Sequence, residues 1–161
     1  MPDLEGLLTR LIEYDVDFVV VGGFAAVAHG GTMLTQDIDI CCDFSAENIL
    51  RLQQAVADLH PVHRMTPDRL PLTLTSENCR GLKNLYLDTD YGQLDCLSSV
   101  KGLGHFAEVK KGSIRVELNA GACRILAIDA LIKAKEAMGR PRDAETVLEL
   151  RAIEAGRAES P

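Results

Sequence analysis

Asp17-Phe18-Val19-Val20-Val21-Gly22-Gly23-Phe24-Ala25, followed after a short gap by Thr35-Gln36-Asp37-Ile38-Asp39-Ile40-Cys41-Cys42, is the stretch whose reading sets the fold. Its opening is a β-branched run, which reads as a buried strand over 17–21. Two glycines end that strand. The Ala-rich segment from Phe24 to His29 reads as a short helix closed by Gly30. Asp37 to Cys42 begins with strict polar–apolar alternation and reads as a second strand. Side chains alternate across a strand, so Asp37 and Asp39 project from one face while Ile38 and Ile40 anchor the other. Two neighbouring carboxylates repel and suit a core poorly. A divalent cation makes them useful, since Mg²⁺ takes oxygen ligands at ~2.1 Å. The strand–glycine–helix junction lets backbone N–H groups approach a phosphate, although a plain tight turn has the same sequence.

Outward from this stretch, Leu4, Leu7, Leu8, Leu11 and Ile12 recur at helical spacing and predict a helix over 3–14. Ser45 is a good N-cap for a helix through Leu59. Pro61, Pro67 and Pro71 prohibit a long helix over 60–80 and leave irregular chain or a short edge strand. Leu82 to Asp88 and Gln93 to Leu97 flank Thr89-Asp90-Tyr91-Gly92, a hairpin with turn chemistry at its tip. Asp95 lies in that second, otherwise apolar strand, where an unpaired carboxylate is costly. Either it joins Asp37 and Asp39 as a third ligand, or it sits at a strand edge and pairs with Lys83 or Arg80. Ser113 to Leu118 and Cys123 to Ile128 read as a further strand pair. Ile128 to Met138 is a helix stopped by Gly139 and Pro141, and Asp143 to Ala155 is the last helix. The fold class is α/β, a mixed and partly antiparallel central sheet flanked by helices. Residues 1–156 read as a single domain and 157–161 as a flexible tail.

Composition narrows the function. The 161 residues are 47% hydrophobic and 25% charged, which argues against a disordered or fibrous chain. A net charge of −7 argues against a uniformly basic nucleic-acid-coating surface. The five cysteines have no C-x-x-C spacing and read as reduced thiols, several of them core fillers. The acidic N-terminus is unlike a signal peptide, and the apolar run from Phe18 to Ala28 is too short to span a bilayer, so a cytoplasmic protein is expected. Residues 1–47 carry a local net of −8 and residues 124–142 one of +3. Ordinary solvated helix faces explain such asymmetry, and so does an acidic metal site facing a basic wall for phosphate. His60 and His63 flank Pro61 at a spacing that suits a metal, but no third ligand is evident.

The Gly22-Gly23 turn, the short helix, Thr35-x-Asp37-x-Asp39 and the later Asp95 resemble the nucleotidyltransferase superfamily typified by DNA polymerase beta. The nearer likeness is to its small branches: minimal nucleotidyltransferases, nucleotidyltransferase toxins of toxin–antitoxin systems, and aminoglycoside or lincosamide nucleotidyltransferases. The segment from Leu131 to Asp143 also resembles one found in single-domain members. The resemblance implies the polymerase beta-like fold. It also implies transfer of a nucleoside monophosphate from a nucleoside triphosphate, ATP among them, to an acceptor hydroxyl, with release of pyrophosphate. Asp37, Asp39 and Asp95 would hold two Mg²⁺ ions, or Mn²⁺ in their place, with Asp95 as general base. Gly22, Gly23, Thr35, Lys135 and Arg140 would bind the nucleotide. The acceptor would be tRNA, a protein or a small molecule, with no membrane involved. A homodimer or a partner protein would complete the acceptor surface. Two positions depart from the pattern. Gly23 stands where many members have Ser, and Met33 where relatives often carry Arg. A second reading rests on these departures: a catalytically weak nucleotidyltransferase-like module acting as a partner or antitoxin-type subunit. A dinucleotide-binding oxidoreductase would need G-x-G-x-x-G, and Phe24 and Val27 occupy glycine positions of that motif.

Overall fold

Helix α1, Leu4–Glu13, is capped by the Asp3 carboxylate, which accepts from the Gly6 N–H at 2.9 Å, and it buries Leu7, Leu8 and Leu11 completely. Each such leucine contributes roughly 2–3 kcal/mol through burial. The computed structural model of the protein describes residues 2–159. Strand β1, Phe18–Val21, is buried along its whole length. Helix α2, Gly22–Ala28, starts two residues before the expected position, because the chain turns at Gly22 itself, with φ at +72°. At its C-terminus His29 is buried. Arg157 can only donate, so His29 Nδ1 accepts from it at 3.1 Å, and the Nε2–H donates to the Leu126 carbonyl at 2.7 Å.

Strand β2, Asp37–Cys42, has the boundaries read from the sequence. Helix α3, Ala46–Val56, follows the Ser45 cap, whose hydroxyl accepts from the Asn48 N–H, and its last turn to Leu59 tightens into 3₁₀. The proline-rich stretch holds the two-residue strand β3, Val62–His63. The hairpin is β4, Asn84–Thr89, and β5, Gly92–Leu97. A small ribbon of β6, Ser99–Val100, and β7, Gly104–His105, leads into helix α4, Phe106–Lys111. Sequence periodicity has no purchase on elements this short. Strands β8, Ser113–Leu118, and β9, Gly121–Leu126, form a pair. Strand β9 lies two residues earlier than the 123–128 read from the sequence, because Gly121 already pairs with Leu118 and Ile128 opens the next helix; α5 is Ile128–Met138 as expected. Helix α6, Pro141–Glu159, begins two residues early: Gly139, with φ at +68°, closes α5, and Pro141 suits the first turn of a helix, where its missing N–H costs nothing. Of the expected tail, 157–159 continue α6, while residues 160 and 161 lie outside the described residues.

One seven-stranded sheet, in the order β3-β4-β5-β2-β1-β9-β8, carries the core. Strands β1 and β2 are antiparallel, β2 and β5 parallel, and β1 and β9 parallel, so the sheet is mixed as expected. Helix α1 packs on α3, and both α2 and α6 pack on α5. All five cysteines are buried and free. Among the described residues no helix is long and apolar enough to cross a membrane.

Candidate active site

The register of three adjacent strands assembles an acidic cluster. Asp39 on β2 lies opposite Val21, the last residue of β1, and opposite Asp95 on β5. Asp37, two residues before Asp39, projects from the same face, while Ile38 and Ile40 are fully buried on the other. One carboxylate oxygen from each of Asp37, Asp39 and Asp95 lies within 4.8 Å of the other two, and all three residues are half-buried. Among the described residues this is the one such group of three; His60 instead pairs with Asp90 at 2.6 Å.

The electrostatics follow from that crowding. Burial, reinforced by the Asp37 and Asp95 charges, pushes the Asp39 carboxyl up to about 7, against the pull of Lys135 and Arg64. Burial also raises the Asp95 carboxyl, opposed chiefly by Arg64. A half-buried, all-oxygen donor set whose negative charge is incompletely compensated fits a hard divalent cation.

Gly22 makes the cluster possible. A Cβ at this position would collide with the Asp39 carboxylate, and the left-handed backbone disfavours any side chain. A Cβ on Gly23 would lie 3.3 Å from the Thr35 hydroxyl. That hydroxyl donates to the Asp37 carbonyl at 3.1 Å and lies 3.3 Å from Asp37 Oδ1. Beside the carboxylates is a cavity of about 190 Å³ lined by Gly23, Thr35, Asp37, Asp39, Lys135 and Arg140.

Solved structures share this arrangement of strands and helices. A protein assigned as a nucleotidyltransferase, TM1012 from Thermotoga maritima, superposes with a TM-score of 0.59 at 19% identity, over 91% of this chain and 88% of its own. The lincosamide antibiotic adenylyltransferase LnuA, solved with lincomycin bound, matches with a TM-score of 0.59 at 17% identity, over 89% of this chain and 90% of its own. ANT(2")-Ia in complex with adenylyl-2"-tobramycin gives 0.59 at 17% identity, over 96% and 92%. The chain has the nucleotidyltransferase fold. No family model matches the sequence, and neither does any curated protein sequence.

Within this nucleotidyltransferase fold the structure brings together most of the residues singled out from the sequence. Lys135 and Arg140 line the same cavity as Asp37 and Asp39, from α5 and from the α5–α6 junction. Both cations are tied to Asp143, whose side chain is 2% exposed: Lys135 Nζ lies 3.6 Å from it, and Arg140 donates to it through Nε at 2.6 Å and Nη2 at 3.1 Å. The Arg140 hydrogen bonds hold the Asp143 carboxyl below the usual carboxylate range. Asp143 has no separate signal in the sequence, because it reads as an ordinary acidic residue near a helix start. Met33 lines the cavity, and the Thr146 hydroxyl beside its sulfur lies within hydrogen-bonding distance of the Arg142 carbonyl at 3.0 Å; Arg142 lines the cavity as well, so the wall keeps a second arginine despite Met33.

Asp95 has a different partner from the two named in the sequence reading. Neither Lys83 nor Arg80 reaches it. Arg64 holds both its oxygens, at 2.7 and 3.0 Å, and β5 is an interior strand rather than an edge. The Arg64 guanidinium also lies 5.7 Å from the centre of the Tyr86 ring, and its backbone N–H donates to the Tyr86 carbonyl. Arg64 follows β3, a strand too short to read from the sequence, and only the β3–β4–β5 pairing brings it to Asp95.

Asp143→Asn tests the basic wall. Removing a buried carboxylate that anchors two cations is expected to cost about 2 kcal/mol of stability, measured by urea denaturation. A change within the error of the wild-type midpoint would contradict this anchoring role.

Proposed function

We propose that this protein is a divalent-metal-dependent nucleotidyltransferase. It moves a nucleoside monophosphate from a nucleoside triphosphate to the hydroxyl of an acceptor and releases pyrophosphate. The observation that carries this reading is the convergence of Asp37, Asp39 and Asp95 beside a cavity walled by Lys135 and Arg140. The fold supports it independently. In this reading residues 1–156 work as one catalytic domain.

Asp37, Asp39 and Asp95 would hold two Mg²⁺ ions, or Mn²⁺. When bound, the ions supply charge compensation for the triphosphate and make the acceptor hydroxyl more acidic. The residues of the chain do the rest. The Gly22 and Gly23 backbone borders the phosphates, and Val21 at the N-cap of α2 offers no capping hydrogen bond to the first turn. Thr35 fixes the Asp37 carboxylate, and Lys135 and Arg140 draw the phosphate oxygens to the cavity, Arg140 with a planar fork and Lys135 as a point charge. Asp95 takes the proton of the acceptor hydroxyl as its oxygen bonds to the α-phosphorus. The bond from that phosphorus to pyrophosphate breaks. Burial raises the Asp95 carboxyl, and the Arg64 guanidinium opposes that rise.

Two of the similar structures are adenylyltransferases, one solved with lincomycin and one with adenylylated tobramycin. ATP is therefore the first donor to test and a small hydroxylated molecule the first acceptor class, ahead of tRNA and protein. The experiment is incubation with each labelled nucleoside triphosphate, Mg²⁺ and a cell lysate. The expected result is a labelled product and pyrophosphate release that chelation abolishes. Mg²⁺ with the accepted nucleotide should also raise the melting temperature by mass action. Absence of both labelling and thermal shift with all four nucleotides would leave the binding-module reading instead.

A further inference from the structure

The two edges of the sheet are built differently. At one end β3 has two residues, and Val62 is bridged to Pro71, so that edge is short and partly covered. At the other end β8 runs six residues, pairs without a bulge to β9 from Ser113↔Leu126 to Leu118↔Gly121, and among the described residues has no strand on its outer side. It holds no proline, and its two charged residues, Arg115 and Glu117, are of opposite sign, so they do not block pairing with a strand that offers the complementary charges. Ile114 is 41% exposed.

The sequence of β8, Ser113-Ile114-Arg115-Val116-Glu117-Leu118, is complementary to itself in one antiparallel register. With the twofold axis at Val116, Arg115 faces Glu117 of the partner subunit and Glu117 faces the partner's Arg115. On the opposite face Ile114 meets the partner's Leu118, and Val116 meets the partner's Val116. An axis at Arg115 or at Glu117 would set like charges against each other. Within one chain Arg115 lies directly opposite Arg124 of β9, an unfavourable like-charge pairing, and among the described residues neither Arg115 nor Glu117 has a salt bridge. The partner's Glu117 would offset that repulsion.

We propose that β8 is the interface of a twofold-symmetric dimer, in which the two sheets join edge to edge into one continuous sheet about Val116. The occupant is a second copy of this chain, chosen by charge complementarity and by the alternation of its apolar residues. The acidic cluster lies on strands interior to each sheet and stays outside this contact.

Sedimentation equilibrium on wild type, Arg115→Glu and Glu117→Arg tests the register. Wild type is expected to dimerise. Each charge reversal turns two attractive cross-strand pairs repulsive and should weaken self-association about thirtyfold. Mixing the two variants restores both opposite-charge pairs and should produce a heterodimer that neither forms alone. Val116→Cys provides a second readout. Facing residues of an antiparallel pair have Cα atoms ~4.5–5.5 Å apart, within disulfide reach, so mild oxidation should cross-link Val116→Cys but not Ile114→Cys. A wild type that stays monomeric at every concentration, charge-reversed variants that dimerise as well as wild type, or a Val116→Cys protein that does not cross-link would overturn the proposal.

Discussion

Asp39→Asn is expected to abolish nucleotidyl transfer, by at least about a thousandfold, while making the metal-free protein more stable. The two effects have one cause. Asp39 is crowded by Asp37 and Asp95 and withdrawn from water, which pushes its carboxyl up to about 7. Ionising it in the folded protein therefore costs free energy that the unfolded chain does not lose. For a carboxyl whose folded value lies above its unfolded one, the folded state binds the extra proton between roughly pH 4 and pH 7. Stability of the metal-free protein thus rises as pH falls through 7, and the penalty is fully present above it. At pH 8 the neutral amide should recover about 1–2 kcal/mol, allowing for partial solvent access, seen as a rise of a few degrees in melting temperature. At pH 5 the gain should shrink. Thermal melts of both proteins at the two pH values check the sign. A variant less stable than wild type at pH 8 would mean that the Asp39 carboxylate is already compensated by neighbouring cations.

Gly22→Ala is expected to have the next largest effect. The substitution places a methyl group where the Asp39 carboxylate sits, on a backbone at φ +72°. A left-handed conformation costs a non-glycine residue ~1–2 kcal/mol before the collision is counted. The carboxylate must move or β1 and β2 must part, and either displaces Asp39 from Asp37 and Asp95. A misplacement of about 1 Å at such a site costs on the order of a hundredfold in rate. Loss of activity together with a lowered urea midpoint is the predicted pair of results. Gly23→Ala is the milder comparison: its Cβ would press on the Thr35 hydroxyl at 3.3 Å, but the backbone there needs no glycine, so a smaller loss than that of Gly22→Ala is expected. A Gly22→Ala protein with wild-type rates would show that Asp39 tolerates displacement and does not act at the reacting centre.

Much of this was legible because the signals are local. The alternation over Asp37 to Cys42 defines a strand, and the strand defines which way two carboxylates point. Gly22-Gly23 marks the end of β1, although the glycines prove to be the first turn of α2 rather than a linker before it. Asp95 stands out as a charge in an apolar strand. That it meets Asp39 depends on β2 and β5 being parallel neighbours, a fact of topology that no pattern within either strand contains. Arg64 was illegible for the same reason twice over: it sits beyond a two-residue strand, and its contact to Asp95 crosses the whole hairpin. Asp143 looked like a helix-start residue, and only the packing of α6 against α5 buries it between Lys135 and Arg140. The α4 segment and the β6–β7 ribbon are shorter than the window over which periodicity can be read.

Asp37, Asp39 and Asp95 need a divalent cation to share one place as carboxylates. Direct titration with Mn²⁺, followed by electron paramagnetic resonance of the free ion, measures this without any knowledge of donor or acceptor. Wild type is predicted to bind Mn²⁺, and Asp37→Asn and Asp39→Asn to lose at least about tenfold in affinity, since each removes a charged ligand. Mn²⁺ binding that is unchanged in both variants, or absent from the wild type with and without nucleotide, would contradict the account.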